Sequence, residues 1–263
     1  MSLNGKIAVV MGASAPGGTG WAIAEGLAEA GAKVIVAARN LASLDTLATQ
    51  IGGHAIACDI GDRVQVEALA KEVESRFGRI DIAVNSAGLP VIGMIADATA
   101  DALQQALDVN YLGAVHFIKN MAAIMNDNGS IVMITSYSAA QPIEPHFAYA
   151  CAKAGTDCLV KYAAIEYGRR GIRVNSIQPG PIKTDMAAHL YAIPGAEEAF
   201  AREVPLGRVG VPRDYANAVL WLSGPCYVTG LNLPVNGGNQ LTRMARLDEL
   251  PMGFDSYDAD RVA

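Results

Sequence analysis

The stretch Ile7-Ala-Val-Val-Met-Gly-Ala-Ser-Ala-Pro-Gly-Gly-Thr-Gly-Trp-Ala-Ile-Ala24 decides the fold. Ile7–Met11 is a short apolar run that reads as a buried strand. A glycine-rich turn from Gly12 to Gly20 follows at once, and the helical stretch Trp21–Ala30 begins where the turn ends. Gly31 stops that helix, and Val34–Ala38 is a second apolar run. Strand, glycine turn, helix and strand make a crossover unit. Glycines in such a turn let the backbone approach a diphosphate, and the helix N-terminus offers it free N–H groups and the positive end of its dipole. Gly12, Ser14, Gly18, Thr19 and Gly20 are the residues expected to meet it.

Working outward, the alternation continues. Asn40 can cap a helix whose apolar stripe is Leu41, Leu44, Leu47 and Ala48. The strand His54–Cys58, the helix Val64–Phe77 and the strand Ile80–Asn85 come next, and a long helix over Ala100–Met125 leads to a turn at Asn128–Gly129. The strand Ser130–Ser136, the helix Ala148–Tyr167 and the strand Ile172–Ile177 follow. A less regular stretch, Pro179–Arg208, precedes the helix Arg213–Leu222 and a last strand at Asn232–Val235. The strands are continuous Val/Ile/Ala runs, which fits a parallel sheet buried on both faces. Right-handed crossovers then give an α/β, doubly wound parallel sheet of the Rossmann kind, with helices on both faces. No linker, repeat or low-complexity segment interrupts residues 1–263, so the expectation is a single domain.

Composition narrows the function classes. Hydrophobic residues make up 51% and charged residues 17%, a globular balance far from a disordered one. A net charge of −6 argues against a duplex nucleic-acid footprint, which needs clustered basic surface. Cys58, Cys151, Cys158 and Cys226 form no CxxC and read as buried or partly buried free thiols of a reducing compartment. His54, His116, His146 and His189 lie far apart, so no metal site is expected. Met1–Lys6 lacks an apolar signal core, and no apolar run reaches the ~18 residues of a membrane span, so a cytoplasmic protein without membrane partners is expected.

Strand ends carry the rest of the chemistry. At the end of the second strand a carboxylate would take the adenosine ribose; Ala38 stands there, followed by Arg39 and Asn40. A cation without an acid favours the 2′-phosphate of NADP(H), with NAD(H) as the alternative, because Arg39 can also stack on adenine or merely be solvated. Asp59, with Ile60 beside it, ends the third strand and is a candidate for the adenine amino group. Tyr149 and Lys153 stand at i and i+4 on one helix and so share a face. Ser136 closes the preceding strand at the same sheet edge. Reducing a ketone with hydride leaves an alkoxide that needs a proton. A phenol at its ordinary pKa of about 10 is too weak an acid to exchange one reversibly near neutrality. An ammonium and the oxidised nicotinamide nearby favour its phenolate, and a serine hydroxyl can bond the carbonyl oxygen as charge grows there.

Together these residues resemble the short-chain dehydrogenase/reductase family, in its common form of ~250 residues, over most of the chain from Gly5 to about Gly238. The resemblance implies that Gly12 through Gly20 bind the cofactor diphosphate, and that Asn85-Ser86-Ala87-Gly88 corresponds to the family's Asn-Asn-Ala-Gly element, with Asn85 and Ala87 near the cofactor. It implies a catalytic tetrad of Asn110, Ser136, Tyr149 and Lys153, in which Asn110 holds a backbone kink and a proton-relay water and Tyr149 and Lys153 also contact the cofactor. Pro179-Gly-Pro-Ile182-Lys-Thr184 matches the segment that binds the nicotinamide carboxamide. A homotetramer or homodimer is implied as well, with the Tyr149 helix and the Ala100–Met125 helix packing across a two-fold axis.

Three departures stand out. The glycine turn is about two residues longer than the usual Gly-x-x-x-Gly-x-Gly, and with Trp21-Ala-Ile-Ala it resembles the enoyl-thioester reductases. Those enzymes place their tyrosine seven residues before the lysine, where this chain has His146, so carbonyl chemistry ranks ahead of double-bond reduction. Ser223–Gly230 is shorter than usual. Residues 239–263 extend past the usual end, with an acidic tail at Leu247–Tyr257 that is either disordered or closes over a neighbouring subunit's site. A substrate lid is expected at about residues 185–207, with Met186, Leu190, Tyr191, Ile193 and Phe200 facing Ile143, His146 and Phe147. These side chains suit an apolar or aromatic secondary alcohol or ketone, though the lid helix could equally be ordinary core. An activated C=C reductase and a non-redox binding protein of the same fold are the alternative functions.

Overall fold

In the computed structural model, residues 2–184, 187–246 and 249 are described (for residue 189, the backbone only). Seven strands, β1 Ile7–Met11, β2 Lys33–Ala38, β3 His54–Ala57, β4 Ile80–Asn85, β5 Met125–Ile134, β6 Arg173–Pro179 and β7 Asn232–Val235, form one sheet. Their order is β3-β2-β1-β4-β5-β6-β7 and every pairing is parallel. The chain winds outward from β1 to β3, then returns to β4 on the other side of β1. The strand order therefore reverses between β1 and β4, and ligands of open α/β sheets bind at the carboxyl ends beside such a switch.

The helices are α1 Thr19–Glu29, α2 Leu41–Ile51, α3 Arg63–Phe77, α4 Ala100–Leu107, α5 Gly113–Ile124, α6 Phe147–Tyr167, α7 Ala188–Tyr191, α8 Ala196–Arg202 and α9 Pro212–Ser223. Side chains along β1 alternate between two cores. Val9 and Met11 join the layer with α3, α5 and α6, while Ala8 and Val10 join the layer with α1, α2 and α9. Both faces of the strand are dry, which is why its sequence carries no polar alternation. Asn40 caps α2, accepting from Ser43 N at 3.2 Å, and Gly31 leaves α1 at a φ of 97°.

The sequence differs from the structure in three places. The helix expected over Ala100–Met125 is two helices joined by a π turn, Asp108–Leu112, and Met125 already belongs to β5. The expected turn at Asn128–Gly129 is a left-handed kink inside that strand, with Asn128 at a φ of 63° and a register shift against β4. Ser136 lies beyond the strand's end and starts the short 3-10 turn Tyr137–Ala139 instead. No helix of the described residues is long and apolar enough to cross a membrane. The cysteines are all free, but Cys151 and Cys158 are exposed on α6 rather than buried or partly buried as expected.

Candidate active site

The glycine turn closes over the end of β1. Gly12 has a φ of 85°, and a side-chain carbon on it would lie 2.4 Å from Ala87 N; one on Gly20 would lie 2.2 Å from Gly12 O. Both glycines are thus required for the turn to pack against β4 and against itself. Gly18 precedes α1 with no side-chain cap, and the first turn of the helix holds no acid. The amides at that N-terminus are left for another acceptor. Ser43 Oγ donates to Ser14 O and ties the turn to α2.

A groove of about 210 Å³ runs from this turn across the sheet edge, with Arg39, Asp59 and Ile60 on one side and Ala87 and Gly88 on the other. Arg39 is exposed and has no hydrogen bond or ion pair among the described residues. Asp59 Oδ1 accepts from Gly61 N at 2.9 Å, which leaves its second oxygen open. Asn85 is buried and its Oδ1 accepts from Ala87 N at 3.0 Å, holding the turn at the end of β4. Pro179 ends β6, and Ile182 and Thr184 stand beyond it. Their segment is pinned to the loop before α9, with Lys183 N donating to Gly210 O at 2.9 Å and Gly210 N to Pro181 O at 2.8 Å. An uncapped helix start, a free cation and an open carboxylate oxygen along one groove fit a dinucleotide. The residues present suit a nicotinamide cofactor.

Four side chains meet beside that groove. Asn110 sits in the π turn, 2% exposed. Its Nδ2 donates to Leu89 O at 3.0 Å and Ala106 O at 3.1 Å, and its Oδ1 accepts from Leu89 N at 3.1 Å. The widened turn is thereby locked to the segment after β4. Lys153 is 4% exposed and donates to Ile134 O at 3.0 Å and Ala87 O at 3.5 Å. Its Nζ lies 5.6 Å from the centre of the Tyr149 ring. Ser136 and Ser138 share a hydroxyl bond of 2.8 Å, and Ser136 also bonds Tyr149. Taken together, the protein's own groups do not pull the Tyr149 phenol toward phenolate. Burial pushes it up to about 12, the Ser136 hydroxyl opposes this, and Asp157 adds to it. Lys153 moves the other way, lowered by burial to about 8 with Asp157 acting upward. Burial is the largest cause in both.

A second cavity, about 660 Å³, opens on the far side of Ser138. Ile143, His146 and Phe147 line it as expected, but its other walls are Gly93–Ile95 and Met244–Arg246. Leu190, Tyr191, Ile193 and Phe200 do not line it; they pack against Ile143, as expected, in a small core with Ala196, Val209 and Ala245. Ile143 and Ala245 also line the cavity, so the lid's apolar side chains back its wall. Of the lid, residues 185 and 186 (with Met186), and of the tail, residues 247, 248 and 250–263, lie outside the described residues. The start of the C-terminal extension is anchored. Asn239, fully buried, donates to Glu203 O at 3.1 Å and Arg243 O at 2.8 Å, and Gln141 Nε2 donates to Thr242 O at 3.1 Å. His146 is lowered by burial, so its imidazole is held neutral. Nothing in the local pattern of residues 93–95 or 244–246 marks them as cavity wall. Among the described residues no group of three His, Cys, Asp or Glu gathers as a metal site would need.

The matches with known proteins agree with this architecture. A family model described as enoyl-(acyl carrier protein) reductase matches residues 12–240. Carbonyl reductase family member 4 of Xenopus laevis is 34% identical over 239 residues, covering 90% of this chain and 98% of the relative. A short-chain type dehydrogenase/reductase from Mycobacterium ulcerans superimposes with a TM-score of 0.89 at 30% identity, covering 94% of both chains. The chain belongs to the short-chain dehydrogenase/reductase family. As a member it is an NAD(P)-dependent oxidoreductase of alcohol or carbonyl substrates. The 7alpha-hydroxysteroid dehydrogenase of Escherichia coli K12, 36% identical over 251 residues, covers 90% of this chain and 95% of its own.

Proposed function

We propose that this reductase moves hydride between a nicotinamide cofactor, NADP(H) in preference to NAD(H), and a secondary alcohol or ketone with an apolar or aromatic body. The observation that carries this is the position of Ser136, Tyr149 and Lys153 between groove and cavity. Lys153 touches Ala87 at the groove, and Ser136 reaches the cavity through Ser138. When bound, the nicotinamide supplies or takes the hydride, and its oxidised form adds positive charge beside the phenol. Tyr149, protonated at neutral pH, gives its proton to the carbonyl oxygen during reduction. Ser136 donates to the same oxygen, and the Lys153 ammonium steadies the phenolate left behind. Asn110 sets the Leu89 backbone and the shape of the turn on which the site rests. The names of two relatives, a carbonyl reductase and a hydroxysteroid dehydrogenase, support a carbonyl on a bulky apolar body. Unpaired Arg39 supports NADP(H).

Double-bond reduction is the second reading, favoured by the description of the matched family model. His146 stands where that chemistry needs a phenol, and a neutral, buried imidazole is a poor substitute. Following NADPH and NADH absorbance with a panel of ketones, alcohols and a 2-enoyl thioester separates the two. Turnover of a ketone is expected; reduction of the thioester alone overturns the reading. Self-association through α4 and α6 is part of the same proposal, supported by exposed Leu103, Leu107, Tyr162 and Ile165 on those helices.

A further inference from the structure

The face of α6 that carries Tyr149 and Lys153 continues one turn further to Asp157, so the three stand at i, i+4 and i+8. Asp157 is 8% exposed. A carboxylate so placed is costly unless donors surround it, and here they do. Gln178 Nε2 donates to its Oδ2 at 2.6 Å. The Ser176 hydroxyl, 3.1 Å from Oδ1 and 2.9 Å from Asn232 Oδ1, shares its one proton between them. The Thr135 hydroxyl is a further donor whose one proton is shared with Ile177 O, 3.2 Å away, and Asn232 Nδ2 holds the Asp157 backbone carbonyl at 3.1 Å. Two of these donors are sequence neighbours of the candidate site: Thr135 precedes Ser136, and Gln178 precedes Pro179. Lys153, by contrast, has only backbone carbonyls as hydrogen-bond partners.

We infer that Asp157 is a positioning residue, a buried counter-charge that keeps Lys153 an ammonium and fastens the ends of β5 and β6 to the helix bearing Tyr149. The inference rests on the acid–base reading of Tyr149 and Lys153 proposed above. Burial alone drives Lys153 toward the neutral amine, and Asp157 is the charge that opposes it. Asp157 is itself pushed up by burial and drawn back by its three donors and by Lys153. Among the described residues, Asp157 is the only charge found to act on Lys153, and the polar groups around it are neutral. Thr135, Ser176, Gln178 and Asn232 come from the strands, and Asn110 comes from the π turn. Tyr111, from the same turn, lies against Gly155, and Tyr149 is a protonated phenol. Removing the carboxylate therefore leaves Lys153 without an opposing charge.

The test reads Lys153 directly. In full-length protein labelled with ¹³C-lysine, with and without NADP(H), the Lys153 ¹³Cε signal is assigned by its loss in Lys153→Met and titrated from about pH 5 to 11. Asp157→Asn should lower the midpoint by about one unit or more, and Asp157→Glu, which keeps the charge, should bring it back. Should Asp157→Asn not fold, the Asp157 carboxyl is titrated in the unaltered protein through its ¹³Cγ signal: a counter-charge to Lys153 stays ionised throughout the Lys153 titration, and an Asp157 midpoint at or above that of Lys153 overturns the inference. An unchanged midpoint in the folded variant overturns the inference, since a residue that only braces the fold would not move it. In turnover, the alkaline limb of kcat should shift down by the same amount with KM for cofactor unchanged. The titration needs no substrate, so absence of ketone turnover would defeat the functional reading and leave this result standing.

Discussion

The groove and the cavity are built by different means. The groove is made of backbone: a glycine turn, the bare start of α1 and the turn Asn85 holds, all at the ends of neighbouring strands. The cavity is made of side chains from three segments far apart in the chain, around residues 93–95, 138–154 and 244–246. Backbone sites bind what many proteins share, because any sequence with the right glycines can form them. Side-chain sites bind what is particular. Lys153 and Tyr149 lie at the seam, and there the two kinds of construction can be tested against each other.

The sharpest cut falls at the seam. Tyr149→Phe keeps the ring and removes the proton, so turnover should fall by about 10²–10⁴-fold with the cofactor dissociation constant unchanged. Near-wild-type turnover, followed as NADPH absorbance beside a fluorescence titration of cofactor, breaks the acid–base assignment. Lys153→Met should cost activity, and only together with Asp157→Asn, which removes the second buried charge, should it raise stability. With its folded pKa depressed to about 8, Lys153 burdens the folded state wherever it must be charged there. The burden is full below that value and fades as pH rises toward the ordinary pKa of about 10.4. Urea unfolding of the double variant at pH 7 should show a gain of roughly 1–3 kcal/mol over Asp157→Asn alone that shrinks by pH 10; a loss relative to Asp157→Asn at pH 7 would refute the argument.

Smaller effects separate groove from cavity. Arg39→Asp should move the NADPH-to-NADH ratio of kcat/KM toward NADH by about tenfold or more, through KM for cofactor. A ratio that stays put removes Arg39 from phosphate recognition. Met244→Ala should raise the KM of a bulky ketone about two- to fivefold, since a few buried methylenes at ~0.8 kcal/mol each are only partly engaged by substrate. Its cofactor affinity should not change. A shift in cofactor affinity with no shift in ketone KM would reverse the division between the two regions.

The same division explains what could be read beforehand. The βαβ unit, the Asn40 cap, Gly31 and the residues at the strand ends all announce themselves within a few residues of chain, because turns and caps are local chemistry. The π turn was announced only by the resemblance, which put a backbone kink at Asn110; periodicity hid it, since Leu103, Leu107 and Phe117 keep an apolar rhythm on both sides of Asp108–Leu112 and no proline or glycine pair marks the break. The cavity wall at Met244–Arg246 was hidden for another reason. Its place depends on Asn239, Thr242 and Gln141 joining distant segments, which no periodicity encodes. Apolar lid residues were expected at the substrate; Phe200 and Tyr191 instead satisfy a core of their own, and composition cannot tell the two uses apart.

The π turn amounts to one residue inserted into an otherwise continuous helix. At 3.6 residues per turn, each residue advances the helix by about 100°. Gly113 N bonds Asp108 O, five residues back, so everything after it is out of phase with α4 by about that angle. Deleting one residue between Asp108 and Leu112 would give a smoother helix and a worse protein. Phe117 and Met121, both fully buried, would swing off the sheet, and Asn110 would leave Leu89. The insertion is therefore a phase setting, and the length of this segment is as much a constraint as the identity of any residue in it.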